Sequence, residues 1–292
     1  MDINYELYKV FYHVASSLSF SEASKKLFIS QSAVSQSIKT LERKLEQTLF
    51  IRSTKKVQLT PAGELLLKHI APAINMIQRG ENQLSDATTL GLGQLHIGAS
   101  DTICRYFLVP FLKQFHEKFP SIPIKVSNAT SLKCVDLLEQ GNVDLIITNY
   151  PNPRLNASYI QKTVQNFTDV FIANPTHFDF TEQEISFSQL CNYPLMMLDR
   201  KSTTSEFLHN LFLQHQLELV PDIELNSNDL LIDFAKIGIG IAFIPDYCLS
   251  PDLQDLYVLK MKEQMPQRQL IAAVNTALPM SASTEEFLKL LP

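Results

Sequence analysis

Tryptophan is absent, glycine occurs only eight times, and no stretch approaches the ~18 uninterrupted apolar residues of a membrane-spanning helix. The four cysteines, Cys104, Cys134, Cys191 and Cys248, stand 30, 57 and 57 residues apart. No C-x-x-C pair occurs and no Cys/His pair has zinc spacing, so no structural metal is expected and the thiols read as small buried hydrophobes. The first residues, Met1 to Glu6, lack the basic and apolar runs of an export signal, and the expectation is a cytoplasmic protein with no membrane association. No nucleophile elbow, phosphate loop or metal-ligand motif appears, which leaves catalysis without candidate residues and implies no cofactor.

What is present suffices for a sizeable core. Hydrophobic residues make up 45% of the chain and charged residues 19%, which excludes global disorder, and 292 residues suggest two or more folding units. The net charge of −5 conceals an asymmetry: residues 1–60 carry nine Lys/Arg against five Asp/Glu, whereas everything beyond residue 90 is strongly acidic. A basic head on an acidic body suits a polyanion held by one end only.

Leu7, Val10, Phe11 and Val14 recur at helical spacing, predicting an amphipathic first helix over residues 4–17. Ser19 to Glu22 offers a cap for a short second helix ending at Leu27, and Ser30 can cap a third that begins at Gln31. There Val34, Ile38, Leu41 and Leu45 form an inward stripe, which turns Gln31, Ser32, Ser35, Gln36, Lys39 and Arg43 outward. A short helix, a tight turn and a helix with a polar outer face fit a major groove, although a plain three-helix core with a solvated face has the same pattern. Two strand-like runs, Leu49 to Arg52 and Val57 to Leu59, flank Ser53-Thr54-Lys55-Lys56 and read as a wing able to meet phosphates. Thr60-Pro61 opens a further helix of nearly thirty residues with one narrow apolar stripe, suited to dimerisation and expected to bend at Pro72. From Gln94 onward strands and helices alternate, as in parallel sheets that bind ligands beyond their strand ends.

The stretch Ser19-Phe20-Ser21-Glu22-Ala23-Ser24-Lys25-Lys26-Leu27-Phe28-Ile29-Ser30-Gln31-Ser32-Ala33-Val34-Ser35, followed by Leu41-Glu42, Leu49-Phe50-Ile51-Arg52 and Leu59-Thr60-Pro61-Ala62-Gly63, resembles the LysR-type transcriptional regulators. The resemblance is strong over about the first 65 residues and continues more weakly through Gly98-Ala99-Ser100, Asp144 to Ile147 and Gly238 to Pro245. It implies an α+β multidomain chain: a winged helix-turn-helix domain at 1–60, a dimerising linker helix at 61–90, and an effector-binding domain at 91–292. That last part would be a two-lobed α/β, periplasmic-binding-protein-like fold, with lobe I at 91–163 and 268–292 and lobe II at 164–267. The implied partners are double-stranded promoter DNA, RNA polymerase, further copies of the chain in a homodimer or homotetramer, and a small-molecule effector. Gln31, Ser32, Ser35, Gln36 and Lys39 would face the operator, and Arg52, Lys55 and Lys56 would hold phosphates. Two departures stand out: Glu46-Gln47 replaces the glycine often found after the recognition helix, and Ala23-Ser24 replaces an Ala-Ala pair.

In such regulators the effector lies between the lobes. Ser100, Asp101 and Thr102, at a strand end where a helix begins, favour a carboxylate or other anion. Thr130, Ser131 and Thr148 would join them from the first lobe, and Ser202, Thr203, Thr204 and Asn228 from the second. Each hydroxyl is equally well read as a helix cap. The competing readings are a thiol redox sensor built on Cys191 and Cys248, and a solute-binding or enzymatic α/β protein.

Overall fold

The computed structural model describes residues 3–52, 56–85, 93–156, 159–180, 183–249 and 255–292. It separates into two compact units, Met1–Ser85 with Gln140–Asn142, and Asp86–Glu139 with Val143–Pro292.

The first unit contains α1 (Tyr5–Ser17), α2 (Phe20–Leu27), α3 (Gln31–Leu45), β1 (Phe50–Arg52), β2 (Val57–Leu59) and α4 (Pro61–Ser85). Its helices begin where short polar side chains satisfy free amides: Asn4 accepts from the Glu6 N–H, Ser19 from Glu22 and Ser30 from Ala33. Val10, Phe11, Val14, Ala23, Val34, Ile38 and Leu41 close one core with Leu49 and Phe50, and the Phe11 and Phe20 rings both lie against Phe50. The Glu42 carboxylate accepts hydrogen bonds from the Leu49 and Phe50 amides at 2.8 and 3.3 Å. That contact ties the third helix to the start of the β1–β2 hairpin, whose register is Phe50↔Leu59 and Arg52↔Val57. Thr60 donates to the Thr48 carbonyl and accepts from the Gly63 amide, so one hydroxyl both closes the hairpin and opens α4. α4 runs unbroken through Pro72, and residues 86–90 of the expected linker lie outside the described residues.

The second unit begins with β3 (Leu95–Ala99), α5 (Asp101–Ile103), a π turn at Cys104–Leu108, α6 (Val109–Lys118), β4 (Ile124–Asn128), α7 (Ser131–Glu139) and β5 (Leu145–Tyr150). It continues with β6 (Tyr159–Ala173), β7 (Glu184–Ile185), α8 (Phe187–Leu190), β8 (Leu195–Leu198), α9 (Thr203–Gln214) and β9 (Ile223–Leu225). α10 (Asn228–Lys236), β10 (Ile241–Pro245), β11 (Tyr257–Val258), β12 (Lys260–Met261), β13 (Gln267–Asn275) and α11 (Ala282–Leu290) complete it. Parallel pairs β3–β4 and β3–β5 make the core of one lobe, and β8–β9 and β8–β10 that of the other. The lobes share β6: Tyr159 to Thr168 pairs with β13, and Asp169 to Ile172 pairs with β10. Phe115, Phe167 and Phe287 fill the first lobe, and Phe171, Phe187, Phe212 and Phe243 the second.

In the first unit three described turns hold non-glycine residues in the left-handed region, Leu18, Phe28 and Glu46, at φ 48°, 54° and 53°; Gln216 and Asp255 do so in the second, at 60° and 66°. Glu46, in the place of the family glycine, adopts the conformation that glycine serves. Conversely, Gly63 lies inside a helix where alanine is ordinarily preferred, but a Cβ there would fall 2.2 Å from the Leu49 carbonyl oxygen. We therefore expect opposite outcomes from two glycine exchanges, read by urea unfolding. Glu46→Gly should stabilise the first unit by about 0.5–1 kcal/mol, since it removes left-handed strain. Gly63→Ala should destabilise it by about 1–3 kcal/mol through overpacking, despite alanine's better helix propensity.

Candidate nucleic-acid interface and interlobe site

The third helix divides as its 3.6-residue period requires. Val34, Ile38 and Leu41 are wholly buried, while Gln31, Ser32, Gln36, Lys39 and Arg43 are exposed and Ser35 is half-buried. Ser30 both caps the helix and hydrogen-bonds the Ser32 hydroxyl at 2.8 Å, so Ser32 is held at the helix start. Most of the exposed side chains of this face carry a donor, an acceptor or a positive charge without internal competition from a core contact. Arg52 ends β1 and Lys56 is exposed beside β2, while Lys55 lies outside the described residues.

Between the lobes the polar residues are drawn together in pairs. Asn228 Nδ2 donates to Thr102 Oγ1 at 2.9 Å, and Asn149 Nδ2 to Thr203 Oγ1 at 3.4 Å. Within the first lobe, Asn152 Nδ2 bridges Thr148 Oγ1 and the Ser131 carbonyl at 3.1 and 3.3 Å. Thr148, Thr203, Thr204 and Asn228 are buried, whereas Asp101 is exposed and accepts from Asn128. Ser100, Thr130 and Ser202 act as caps, accepting from the Ile103, Lys133 and Thr204 amides. Tyr106, on the π turn, donates to Asp229 at 2.6 Å and adds a further tie between lobes. Its phenol is pushed up by burial and by that carboxylate.

The centre of this site is an ion pair that the sequence reading did not include. Arg268 on β13 is 1% exposed, and its Nη1 donates to Asp169 Oδ2 at 2.7 Å and to Thr204 Oγ1 at 3.2 Å. The guanidinium lies against the Phe167 and Phe207 rings, 5.3 and 4.7 Å from their centroids. Burial pushes the Asp169 carboxyl above its ordinary value against the opposing pull of Arg268. Arg268 Nε and Nη2 have no hydrogen-bond partner among the described residues, nor do Asn149 Oδ1 and Asn228 Oδ1. Asn149, Asn152 and Arg268 are thus the functional candidates that sequence patterning passed over. Asn149 lies near the end of β5 and Asn152 just after it, and Arg268 is the one charged residue of β13.

The bacterial regulatory helix-turn-helix model of the lysR family matches residues 5–64, and the LysR substrate-binding domain model matches residues 90–292. The chain belongs to the LysR family. It is a DNA-binding transcriptional regulator with an effector-binding domain, and members of this family are regulators rather than enzymes. A probable RuBisCO transcriptional regulator of Gracilaria tenuistipitata var. liui is 27% identical over 277 residues, covering 93% of this chain and 90% of the relative. Among solved structures, full-length OxyR C199D from Pseudomonas aeruginosa aligns with a TM-score of 0.70 at 19% identity, over 99% of this chain and 95% of that one. Full-length CbnR complexed with its target DNA aligns with a TM-score of 0.66 at 16% identity, over 99% of both chains. At these identities the structures establish the fold alone. No helix among the described residues is long and apolar enough to cross a membrane.

The thiols bear on the redox reading. Cys191 is exposed and its Sγ contacts the Phe187 carbonyl, whereas Cys248 is buried in a different hydrophobic cluster. Burial raises all four thiols, Cys104 to about 11 and Cys134 to about 12, so none has the lowered pKa of a reactive thiolate. Alkylation of the native protein at pH 7, followed by mass spectrometry, should label Cys191 first and leave Cys104, Cys134 and Cys248 unmodified on the time scale that labels the unfolded chain. Rapid labelling of Cys248, or a peroxide effect on DNA binding that Cys191→Ser removes, would restore the redox reading.

Proposed function

We propose that the third helix reads promoter DNA through Gln31, Ser32, Ser35, Gln36 and Lys39, with Arg52, Lys55 and Lys56 on the phosphate backbone. We further propose that a small anion, bound between the lobes, governs that grip. The effector residues are Ser100, Asp101, Thr102, Thr130, Ser131, Thr148, Ser202, Thr203, Thr204 and Asn228, with Arg268 added. The division at 1–60, 61–90 and 91–292 accompanies this reading, with lobe II spanning 164–267. α4 serves pairing into dimers or tetramers, and the regulator works in the cytoplasm, without catalysis, beside RNA polymerase.

The observation that carries the effector class is Arg268. A buried guanidinium at the start of α9 keeps two N–H groups on one edge without acceptors, and that edge matches the two oxygens of a carboxylate or phosphate. Among the described residues Asp169 is the one ion-pair partner of this guanidinium, and the positive end of the α9 dipole adds to the positive field. Effector binding shifts DNA affinity only if the two arrangements of the lobes differ in affinity for it.

Two measurements test this reading. Promoter affinity should fall steeply with salt, and Lys56→Ala should reduce the slope of log K against log salt by about one. In calorimetry on the full chain, small carboxylates and phosphates should include a ligand whose affinity drops at least tenfold in Arg268→Gln and in the near-isosteric Thr204→Val. A ligand without negative charge, bound equally by both variants, would overturn the anion assignment.

A further inference from the structure

The turn between the second and third helices carries a feature that the effector reading does not touch. α2 ends at Leu27, and Phe28 follows in the left-handed region at φ 54°, ψ 37°. Its amide closes the helix by donating to the Lys25 carbonyl, and the Ile29 amide donates to Ser24. This position is one that glycine and asparagine occupy readily and a bulky aromatic does not. The Phe28 side chain is 94% exposed, more than any other large hydrophobic side chain among the described residues. It is no part of the cluster in which Leu27, Val34 and Ile38 pack. Phenylalanine is therefore unfavourable here to the free protein on two independent counts, backbone conformation and hydration.

Its surroundings say what covers it. Phe28 lies two residues before Ser30, the cap of the third helix, and three before exposed Gln31. Lys25 and Lys26 are exposed on its other side, and Ile29 is 40% exposed beside it. A helix-turn-helix lays its first helix across the backbone and sets the first residues of its second against base edges, and the turn that carries Phe28 directly precedes those residues. Along the major groove the one apolar group on a base edge is the thymine C5-methyl. We propose that Phe28 packs on a thymine methyl group at the edge of each half-site, adding an apolar specificity contact to the polar face of the third helix. The proposal rests on DNA binding by this unit and is independent of the effector assigned above.

The test uses the full-length chain and a duplex selected by it from a pool of randomised sequences. Each thymine of that duplex is replaced in turn by deoxyuridine, which deletes only the methyl group. At one thymine in each half-site, the replacement should weaken binding of the wild-type protein about fourfold, the worth of one buried methyl group. Phe28→Asn should be insensitive to the replacement there and respond like wild type at every other thymine. Phe28→Asn should also unfold at a higher urea concentration than wild type, since asparagine tolerates the left-handed turn. Phe28→Leu, which keeps apolar bulk, should retain part of the discrimination. Equal binding of every duplex by wild type and Phe28→Asn would place Phe28 outside the DNA and overturn the proposal. So would a loss of affinity in Phe28→Asn that is the same for thymine and deoxyuridine duplexes, which would indicate packing on the sugar–phosphate backbone.

Discussion

One buried ion pair sits where the two lobes share a strand. β6 leaves its partner β13 and takes up β10 between Thr168 and Asp169, and Asp169 is the residue that Arg268 grips. Neither charge is favourable in a protein interior on its own, and removing one partner of such a pair typically costs about 3–5 kcal/mol. The arrangement is sustained by mutual neutralisation, by Thr204 and by the two phenylalanine rings flanking the guanidinium. The shared strand, the start of α9 and the return strand are thereby fixed to one point, and the paired asparagines and threonines lie around it.

Much of this was legible in the sequence, and the exceptions have physical causes. The helix-turn-helix was readable because capping serines, a regular apolar stripe and short turns all agree locally. Part of β6 was not: only 169–173 reads as a strand, yet pairing begins at Tyr159. The missing part spreads Tyr159, Ile160, Val164 and Phe167 among Gln161, Lys162, Thr163, Gln165 and Asn166 without a two-residue alternation, and pairing with β13 makes it a strand. α10, at Asn228–Lys236, was also passed over, because Leu230, Leu231, Ile232 and Phe234 merge with the apolar run ahead of β10.

The effector candidates followed a similar pattern. Thr102, Thr148, Thr203 and Thr204, with the Asn228 carboxamide, belong to the interlobe network, whereas Ser100, Thr130 and Ser202 serve their own helices as caps. Arg268 escaped notice because burial of an arginine depends on a partner 99 positions away.

The close approach of Gly63 to the Leu49 carbonyl has a mechanical consequence. With no side chain between them, and with Thr60 bonded to the Thr48 carbonyl, the opening turn of the long α4 helix meets the base of the hairpin backbone to backbone. Glu42 holds the other side of that base to the third helix. The first turn of α4 is thereby held to the hairpin by main-chain contact as well as by Ala62, Leu66, Leu67 and Ile70, which pack on the same core as the third helix.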